Sequence, residues 1–108
     1  MRKANVLFKK EDAGLLTQLD DGSVVFRYYD HWFNNADKPA ISLTLPKTQQ
    51  TYQSKYLFPF FYNMLPEGSN KQTVCFENRL DDKDHFGILL TTAQYDTIGA
   101  IQIKKIDN

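Results

Sequence analysis

The first part of the chain predicts short β-strands joined by a hairpin turn. Apolar residues are concentrated at positions 6–8 and 15–19, where we predict two strands joined around Gly14. Asp20, Asp21 and Gly22 follow, and an Asp-Gly pair between apolar runs is a strong signal for a tight hairpin. This region is therefore predicted to be antiparallel sheet.

Apolar and polar residues continue to alternate beyond this turn. In a strand over residues 23–29, the alternation places Val24, Phe26 and Tyr28 on one face, because successive side chains point to opposite sides. Residues 40–46 alternate in the same way and predict another strand. Pro46 would end it, since proline has no N–H group for a ladder.

The middle of the chain changes from strand periodicity to helix periodicity. Between residues 56 and 65, apolar side chains follow the i, i+3, i+4, i+7, i+8 spacing of an amphipathic helix: Leu57, Phe60, Phe61, Met64 and Leu65. Proline is tolerated in the first turn of a helix, so we place the start close to Pro59. The Pro-Glu-Gly sequence at residues 66–68 then interrupts the helix.

Two more helices are predicted after this break. Ser69 and Gln72 have the spacing of a capping box, which predicts a helix over residues 70–80. Asp82 or Asp84 is expected to cap a third helix, whose inward-facing residues are Phe86, Leu89 and Leu90.

A last strand and the order of elements indicate the fold class. Residues 97–106 alternate, with Ile101 and Ile103 on one face. Strands, then helices, then a final strand indicate an α+β protein. We predict a single domain over residues 1–108, in which a small, mainly antiparallel β-sheet packs against two or three helices. A chain of 108 residues is long enough for one hydrophobic core and too short for two domains.

Charge and composition exclude several classes of function. The 13 basic and 13 acidic side chains balance, so the chain lacks the basic surface expected of an autonomous nucleic-acid binder. No apolar run approaches the ~18 residues that indicate a membrane span. The single cysteine, Cys75, cannot form an internal disulfide and is interpreted as a buried thiol in a reducing compartment. We therefore expect a cytoplasmic protein with no direct contact to nucleic acid or membrane.

Candidate catalytic and metal-binding groups are few. One segment resembles a kinase Asp-Phe-Gly motif: Asp84, His85, Phe86 and Gly87. The histidine interrupts that motif, and no glycine-rich or catalytic loop accompanies it. Asp81, Asp82 and Asp84 lack the spacing of a calcium loop and are interpreted as a solvated helix cap. We expect no catalytic residue, cofactor or metal; a small enzyme that uses Cys75 or this acidic cluster stays open as an alternative.

The aromatic residues divide into two groups. Five phenylalanines are interpreted as core: Phe26, Phe58, Phe60, Phe61 and Phe86. Five aromatics with a polar tip are left open between core packing and contact with another protein, since such side chains suit interfaces: Tyr28, Tyr29, Trp32, Tyr52 and Tyr62.

Three parts of the chain together match a family pattern in order. Residues 41–46 read ISLTLP, residues 57–68 read LFPFFYNMLPEG, and DHFGILL and DTIGAI follow within residues 84–101. These segments resemble the LSLSLP, FFxNLLPEG, DxFxLL and DxxGAV motifs of HipA-type serine/threonine kinases, the toxins of bacterial toxin–antitoxin systems. The motifs belong to the N-terminal subdomain of that family, and the resemblance covers about residues 3–103.

The resemblance implies a function without catalysis. In the family a kinase core follows this subdomain, whereas this chain ends at residue 108, so it also resembles the HipS-type antitoxins of three-component HipBST systems. The resemblance then implies a non-catalytic antitoxin that binds and neutralises a HipT-like kinase toxin, in one complex with a HipB-like helix-turn-helix DNA-binding protein. The alternative is a split or excised N-terminal subdomain of a HipA-like kinase, with a structural and non-inhibitory role.

The expected contact with the kinase is the turn after the first predicted long helix. Its candidate residues are Tyr62, Pro66, Glu67, Gly68, Ser69 and Asn70. The proline and glycine would fix the shape of the turn. A purely local role, in which this segment only ends a helix, stays open.

Overall fold

A five-stranded antiparallel β-sheet is the centre of the fold. The structure is a computed structural model that describes residues 1–66, 68–92 and 100–106. The strands of this part of the chain are β1 (Arg2–Phe8), β2 (Glu11–Gln18), β3 (Val24–Tyr28), β4 (Thr51–Ser54) and β5 (Ile101–Ile106). They lie in the order β4-β3-β2-β1-β5, and each neighbouring pair is antiparallel.

Helices are inserted between the strands. Those within the described residues are α1 (Asp30–Phe33), α2 (Pro59–Tyr62), α3 (Gly68–Asn78) and α4 (His85–Thr92). Two of them, α1 and α2, have only four residues each. The α+β prediction is confirmed, as is the mainly antiparallel sheet.

The first hairpin turn lies earlier than predicted. Lys9 and Lys10 form it, with φ angles of 50° and 69°, and positive φ at both central residues is the geometry of a tight hairpin turn. Gly14 is instead inside β2, opposite Tyr28 of β3. The reason is a close approach, because a Cβ atom on Gly14 would lie 2.6 Å from two ring atoms of Phe26.

The second hairpin turn is confirmed at the Asp-Gly sequence. Gly22 has a φ of 90°, which favours glycine. Oδ1 of Asp21 accepts hydrogen bonds from the backbone N–H and the hydroxyl of Ser23, at 2.9 and 2.6 Å. These bonds lower the pKa of the Asp21 carboxyl, with the side-chain bond to Ser23 as the largest cause. Beyond the turn, the buried face of β3 carries Val24, Phe26 and Tyr28, as predicted.

The strand predicted for residues 40–46 is wrong. Ser42 accepts a turn hydrogen bond from the N–H of Leu45 at 3.2 Å. The hydroxyl of buried Tyr28 supplies the partners that a neighbouring strand would otherwise provide: it accepts from the N–H of Ile41 and donates to the carbonyl of Leu45. Ile41 and Leu45 therefore enter the core from a loop, and Leu43 between them is 99% exposed. The fourth strand is instead the polar Thr51–Ser54 at the edge of the sheet.

The helices after this loop follow the prediction in part. Pro59 is the first residue of α2, as predicted, but α2 ends at Tyr62, so it is shorter than the apolar stripe suggested. The predicted helix over residues 70–80 is observed as Gly68–Asn78. Ser69 lies inside its first turn and not at the N-cap, so the predicted capping box is wrong. Asp84 precedes α4 as predicted. Of the predicted last strand, residues 101–106 are confirmed, and residues 97–99 lie outside the described residues.

The hydrophobic core lies on one side of the sheet. Side chains from alternate positions of the strands form it on the sheet side: Ala4, Val6, Leu16, Val24, Phe26, Tyr28, Ile101 and Ile103. Helices and loops cover these with Trp32, Ile41, Leu45, Phe58, Phe61, Phe86, Leu89 and Leu90. The rings of Phe26 and Phe61 lie 5.9 Å apart between their centroids. All helices that supply core residues are therefore anchored to the same sheet face.

Gly14→Ala tests the close approach between β2 and β3. We expect the substitution to lower the free energy of unfolding by about 1–3 kcal/mol, because the new methyl group overlaps the Phe26 ring. Urea unfolding followed by circular dichroism measures this change. Thr17→Ala in the same strand is the control, since Thr17 is half-buried on the other face. Equal stability of the Gly14→Ala variant and the natural chain would contradict the packing argument.

Candidate functional site

The candidate contact segment begins where α2 ends. Phe61 is fully buried, and it anchors α2 in the core. The chain then leaves the helix in two tight turns, in which the N–H of Met64 bonds the Phe61 carbonyl at 3.0 Å and that of Leu65 bonds the Tyr62 carbonyl at 3.1 Å. This brings Pro66 back toward Tyr62 before α3 begins.

Half of the candidate residues meet around one shallow cavity. It has a volume of about 260 Å³ and is lined by Tyr62, Leu65, Pro66, Gly68 and Lys71. Three of the six sequence-predicted residues are thus brought together there. Ser69 and Asn70 are exposed in the first turn of α3, and Glu67 lies outside the described residues. The cavity combines an aromatic ring, apolar walls and one cationic side chain.

Tyr62 is the aromatic side chain that borders this cavity. Its side chain is 49% exposed. The covered part of the ring packs edge-on against the ring of His85, with centroids 5.2 Å apart and planes at 77°. Nδ1 of His85 is buried and has no hydrogen-bond partner within the described residues. The Tyr62 ring therefore joins the turn after α2 to the start of α4.

The start of α4 explains the segment that resembles a kinase motif. Oδ1 of Asp84 accepts a hydrogen bond from the N–H of Gly87 at 3.1 Å, which is an N-cap. The same carboxylate forms a two-point ion pair with the guanidinium of Arg2, at 3.0 and 2.6 Å. Hydrogen bonding to Arg2 is the largest cause that lowers the pKa of Asp84. Phe86 is buried beneath the guanidinium, 5.3 Å from its ring centroid.

Gly87 completes this cap by leaving room for it. A Cβ atom on Gly87 would lie 2.8 Å from Cγ of Asp84 and 3.0 Å from Nη1 of Arg2. The aspartate, phenylalanine and glycine therefore serve structure, with the carboxylate bound to Arg2 and not presented to a nucleotide metal. The interpretation of this acidic segment as a helix cap is confirmed for Asp84.

The other candidate chemical groups are not assembled into a site. Oδ1 of Asp81 accepts a hydrogen bond from the N–H of Lys83 at 2.8 Å, the largest cause that lowers the pKa of Asp81. Cys75 is buried in α3, as predicted. Among the residues that the structure describes, no three histidine, cysteine or carboxylate side chains are grouped as metal ligands would be. No helix in these same ranges is long and apolar enough to cross a membrane.

The aromatic residues left open by the sequence are now placed. Tyr28 and Trp32 are buried in the core, Tyr29 and Tyr52 are half-buried, and Tyr62 is exposed. The phenylalanine group is confirmed as core, with Phe60 partly buried against it. Sequence reasoning missed Phe76, which is 87% exposed on α3. The sequence did contain a signal for this exposure: positions 69, 72 and 73, which share a helix face with Phe76, are all polar.

Comparison with known proteins identifies the family. The model of the HipA N-terminal domain matches residues 4–104. This chain belongs to the HipA N-terminal domain family. A solved structure described as the N-terminal domain of HipA toxin superposes with a TM-score of 0.73 at 27% identity, covering 100% of this chain and 95% of that one.

Relatives of two different sizes match this chain. An uncharacterized protein of Haemophilus influenzae is 32% identical over 107 residues, which are 97% of this chain and 93% of that protein. The putative kinase Y4mE of Sinorhizobium fredii is 27% identical over 103 residues, but this chain spans only 24% of its length. The matched region is the N-terminal domain and does not include the catalytic kinase domain.

Substitutions of Asp84 separate its two roles in the HipA N-terminal domain. Asp84→Asn keeps a capping side chain but removes the ion pair with Arg2, and we expect a loss of about 1 kcal/mol in the free energy of unfolding. Asp84→Ala also removes the cap, and we expect it to lower the free energy of unfolding by about 2 kcal/mol. Urea unfolding near neutral pH measures both.

The pH dependence gives this prediction a definite sign. Because the folded-state pKa of Asp84 is below its ordinary value of 3.8, the unfolded chain binds its proton more readily. The contribution of the ionised Asp84 to the free energy of unfolding is complete at pH values above 3.8. It is lost as the pH falls through the lower pKa of the folded state. The stability difference between the natural chain and Asp84→Asn should therefore shrink in acid. A difference that is constant over this range would contradict the role of the ion pair.

Proposed function

We propose that this protein is a non-catalytic antitoxin that binds and neutralises a HipT-like serine/threonine kinase in a bacterial toxin–antitoxin system. The observation that carries the proposal is the match of residues 4–104 to a domain that is separate from the kinase core. In the putative kinase Y4mE the matching region is about a quarter of the chain, joined to further sequence. A domain that packs against a kinase within one chain can keep that contact as an interface when the two are separate.

The contact proposed for the kinase is the surface formed by residues 62–70. Tyrosine is enriched among the residues that carry most binding energy, and Tyr62 presents about half of its surface. The cavity beside it offers apolar walls and the ammonium group of Lys71, which together fit an apolar side chain near a carboxylate. The proposed interface thus has one aromatic anchor, Tyr62, beside the exposed polar residues Ser69 and Asn70.

Neutralisation by this protein needs no chemistry of its own. A bound domain that covers the nucleotide or substrate cleft, or restrains a loop that must move, stops turnover by occupying the inactive state. We further propose that the complex is cytoplasmic and includes a HipB-like helix-turn-helix protein, which would provide the contact with DNA. The neutral net charge of this chain suits a protein that reaches DNA only through a partner.

A second candidate is a structural role as the N-terminal domain of a HipA-like kinase. The match to Y4mE favours it, because there the domain is one part of a longer kinase-sized chain. In that role the domain would stabilise the kinase core and would not inhibit it. The two candidates predict opposite effects on kinase activity.

Co-expression distinguishes these two functions. Expression of the neighbouring HipT-like kinase alone should arrest growth, and expression of this protein with it should restore growth. Purified protein should also bind the kinase and suppress its autophosphorylation. A kinase that is equally toxic in both conditions and does not co-purify would overturn the antitoxin proposal. Increased kinase activity in the complex would favour the structural role.

Tyr62→Ala tests the proposed contact surface. We expect the dissociation constant for the kinase to rise about tenfold, because an exposed aromatic anchor is removed. Isothermal titration calorimetry measures the change. Tyr56→Ala is the matched control, since Tyr56 is 78% exposed but does not line the Tyr62 cavity. Equal losses for both variants would show that residues 62–70 are not the specific contact.

A further inference from the structure

The face of the sheet opposite the core contributes, among the described residues, no side chain to the hydrophobic core cluster. The strand pairings align its side chains in two rows across all five strands. The first row is Ile106, Lys3, Thr17, Val25 and Gln53, and the second is Lys104, Asn5, Leu15, Arg27 and Thr51. We call these two rows, together with Tyr29, the open sheet face; Leu7 lies on the same side of the sheet but is already buried. None of its apolar residues belongs to the core cluster or packs against it.

The sequence of the strands is typical of a sheet that is covered on both sides. A sheet with one solvated face shows strict alternation of apolar and polar residues, whereas strands buried on both faces contain continuous apolar runs. Here the runs are Val6-Leu7-Phe8 in β1, Leu15-Leu16 in β2 and Val24-Val25-Phe26 in β3. In each run one residue points to the open sheet face. Leu15 and Val25 on that face are only half-buried, so a covering layer would remove more apolar surface from water.

An aromatic side chain extends the apolar part of this face. The hydroxyl of Tyr29 donates a hydrogen bond to Oδ1 of Asn5, which holds the phenol ring across the second row. Its ring is stacked on His31, with centroids 5.8 Å apart and planes at 12°. Burial is the largest cause that raises the pKa of Tyr29, so the phenol stays neutral. Leu15, Val25 and Tyr29 therefore offer a contiguous apolar strip fixed by a hydrogen bond.

Charge on the open sheet face is concentrated at its β1–β5 side. Lys3 and Lys104 are diagonal neighbours on adjacent strands, and neither has an ion pair in the part of the chain that the structure describes. Arg27 at the other side is already paired with Asp30 at 2.9 Å. Two adjacent unpaired ammonium groups repel each other and favour a partner that places carboxylates beside them.

We propose that the open sheet face binds an amphipathic helix of another protein, with apolar residues over Leu15, Val25 and Tyr29 and acidic residues beside Lys3 and Lys104. A helix is the natural cover for one face of a sheet. Five strands span about 19 Å, which a helix of about 13 residues matches in length. A second copy of this chain fits less well, because none of the residues that form the open sheet face has a carboxylate to offer to the lysines.

The proposal does not depend on kinase binding, because the two surfaces lie on opposite sides of the sheet. The probe is a synthetic, end-capped helical peptide of about 14 residues, with leucines along one side and glutamates on both flanks. Titration into the ¹⁵N-labelled full chain should shift the amide signals of the open sheet face and leave those of residues 62–70 unchanged. A fluorescent form of the peptide gives the dissociation constant.

Charge reversal makes the test specific. Lys3→Glu with Lys104→Glu should weaken peptide binding about tenfold or more, while the matched double variant Lys55→Glu with Lys83→Glu should bind within about twofold of the natural chain. Lys55 and Lys83 are exposed lysines that line a different cavity, on the helix side. Lys104→Glu alone, at an exposed position, serves if the double variant is poorly folded.

Several outcomes would overturn the proposal. They are an absence of binding, shifts confined to other surfaces, and equal binding of a peptide with lysines in place of the glutamates. Concentration-dependent shifts of the open sheet face without peptide would assign it to a second copy of the chain. Equal losses of peptide affinity in both double variants would show that binding depends on net charge and not on the open sheet face.

Discussion

The bond between Arg2 and Asp84 holds the two layers of this domain in register. These residues are 82 positions apart, one at the start of β1 and the other at the start of α4. The guanidinium also donates to the side-chain carbonyl of Gln18 at the end of β2 and lies over the Phe86 ring. Because Asp84 is also the N-cap of α4, the bond fixes where that helix begins and thus how Phe86, Leu89 and Leu90 meet the sheet.

Tyr28 has the corresponding role for the long loop between α1 and β4. A buried hydroxyl needs hydrogen-bond partners, and two loop backbone groups, at Ile41 and Leu45, provide them. Burial is the largest cause that raises the pKa of Tyr28, which keeps the hydroxyl available as a donor. The loop can therefore contribute core residues without forming a strand of its own. The Arg2–Asp84 ion pair and the hydrogen bonds of Tyr28 both hold helices and loops on one face of the sheet. The other face is left for different contacts.

The sequence could predict the elements whose signals are local. The Asp-Gly turn at Gly22 and the cap at Asp84 depend on neighbouring residues, and both were predicted correctly. Gly14 was misread as a turn because its role depends on the Phe26 ring of another strand. Residues 40–46 have the alternation of a strand, but the partner of their backbone is a side chain distant in sequence, Tyr28.

The candidate contact surface could be predicted only in part, for the same reason. The turn signal of residues 66–68 and the tyrosine before it indicated where the chain leaves the core, and Tyr62 is indeed exposed. The contact of Tyr62 with His85 and the exposure of Phe76 depend on how α3 and α4 pack, which no local pattern records. The sequence also does not identify the partner of the open sheet face. Continuous apolar runs indicate that a strand is buried on both faces, but they do not show what covers the second face.

The position of the two proposed contacts has a physical consequence. One lies on the helix layer, the other on the far side of the sheet, and the sheet between them is held by its ladders and by the bond between Arg2 and Asp84. Neither contact then requires the other surface to move, so two partners could be held at once without steric conflict. Coupling between the two contacts would begin at Tyr62, whose ring packs on His85 at the start of α4. It would continue from Asp84 to Arg2 of β1, the strand that carries Lys3 on its other side. The proposed antitoxin would in this way act on a kinase and on an assembly partner through packing and charge alone.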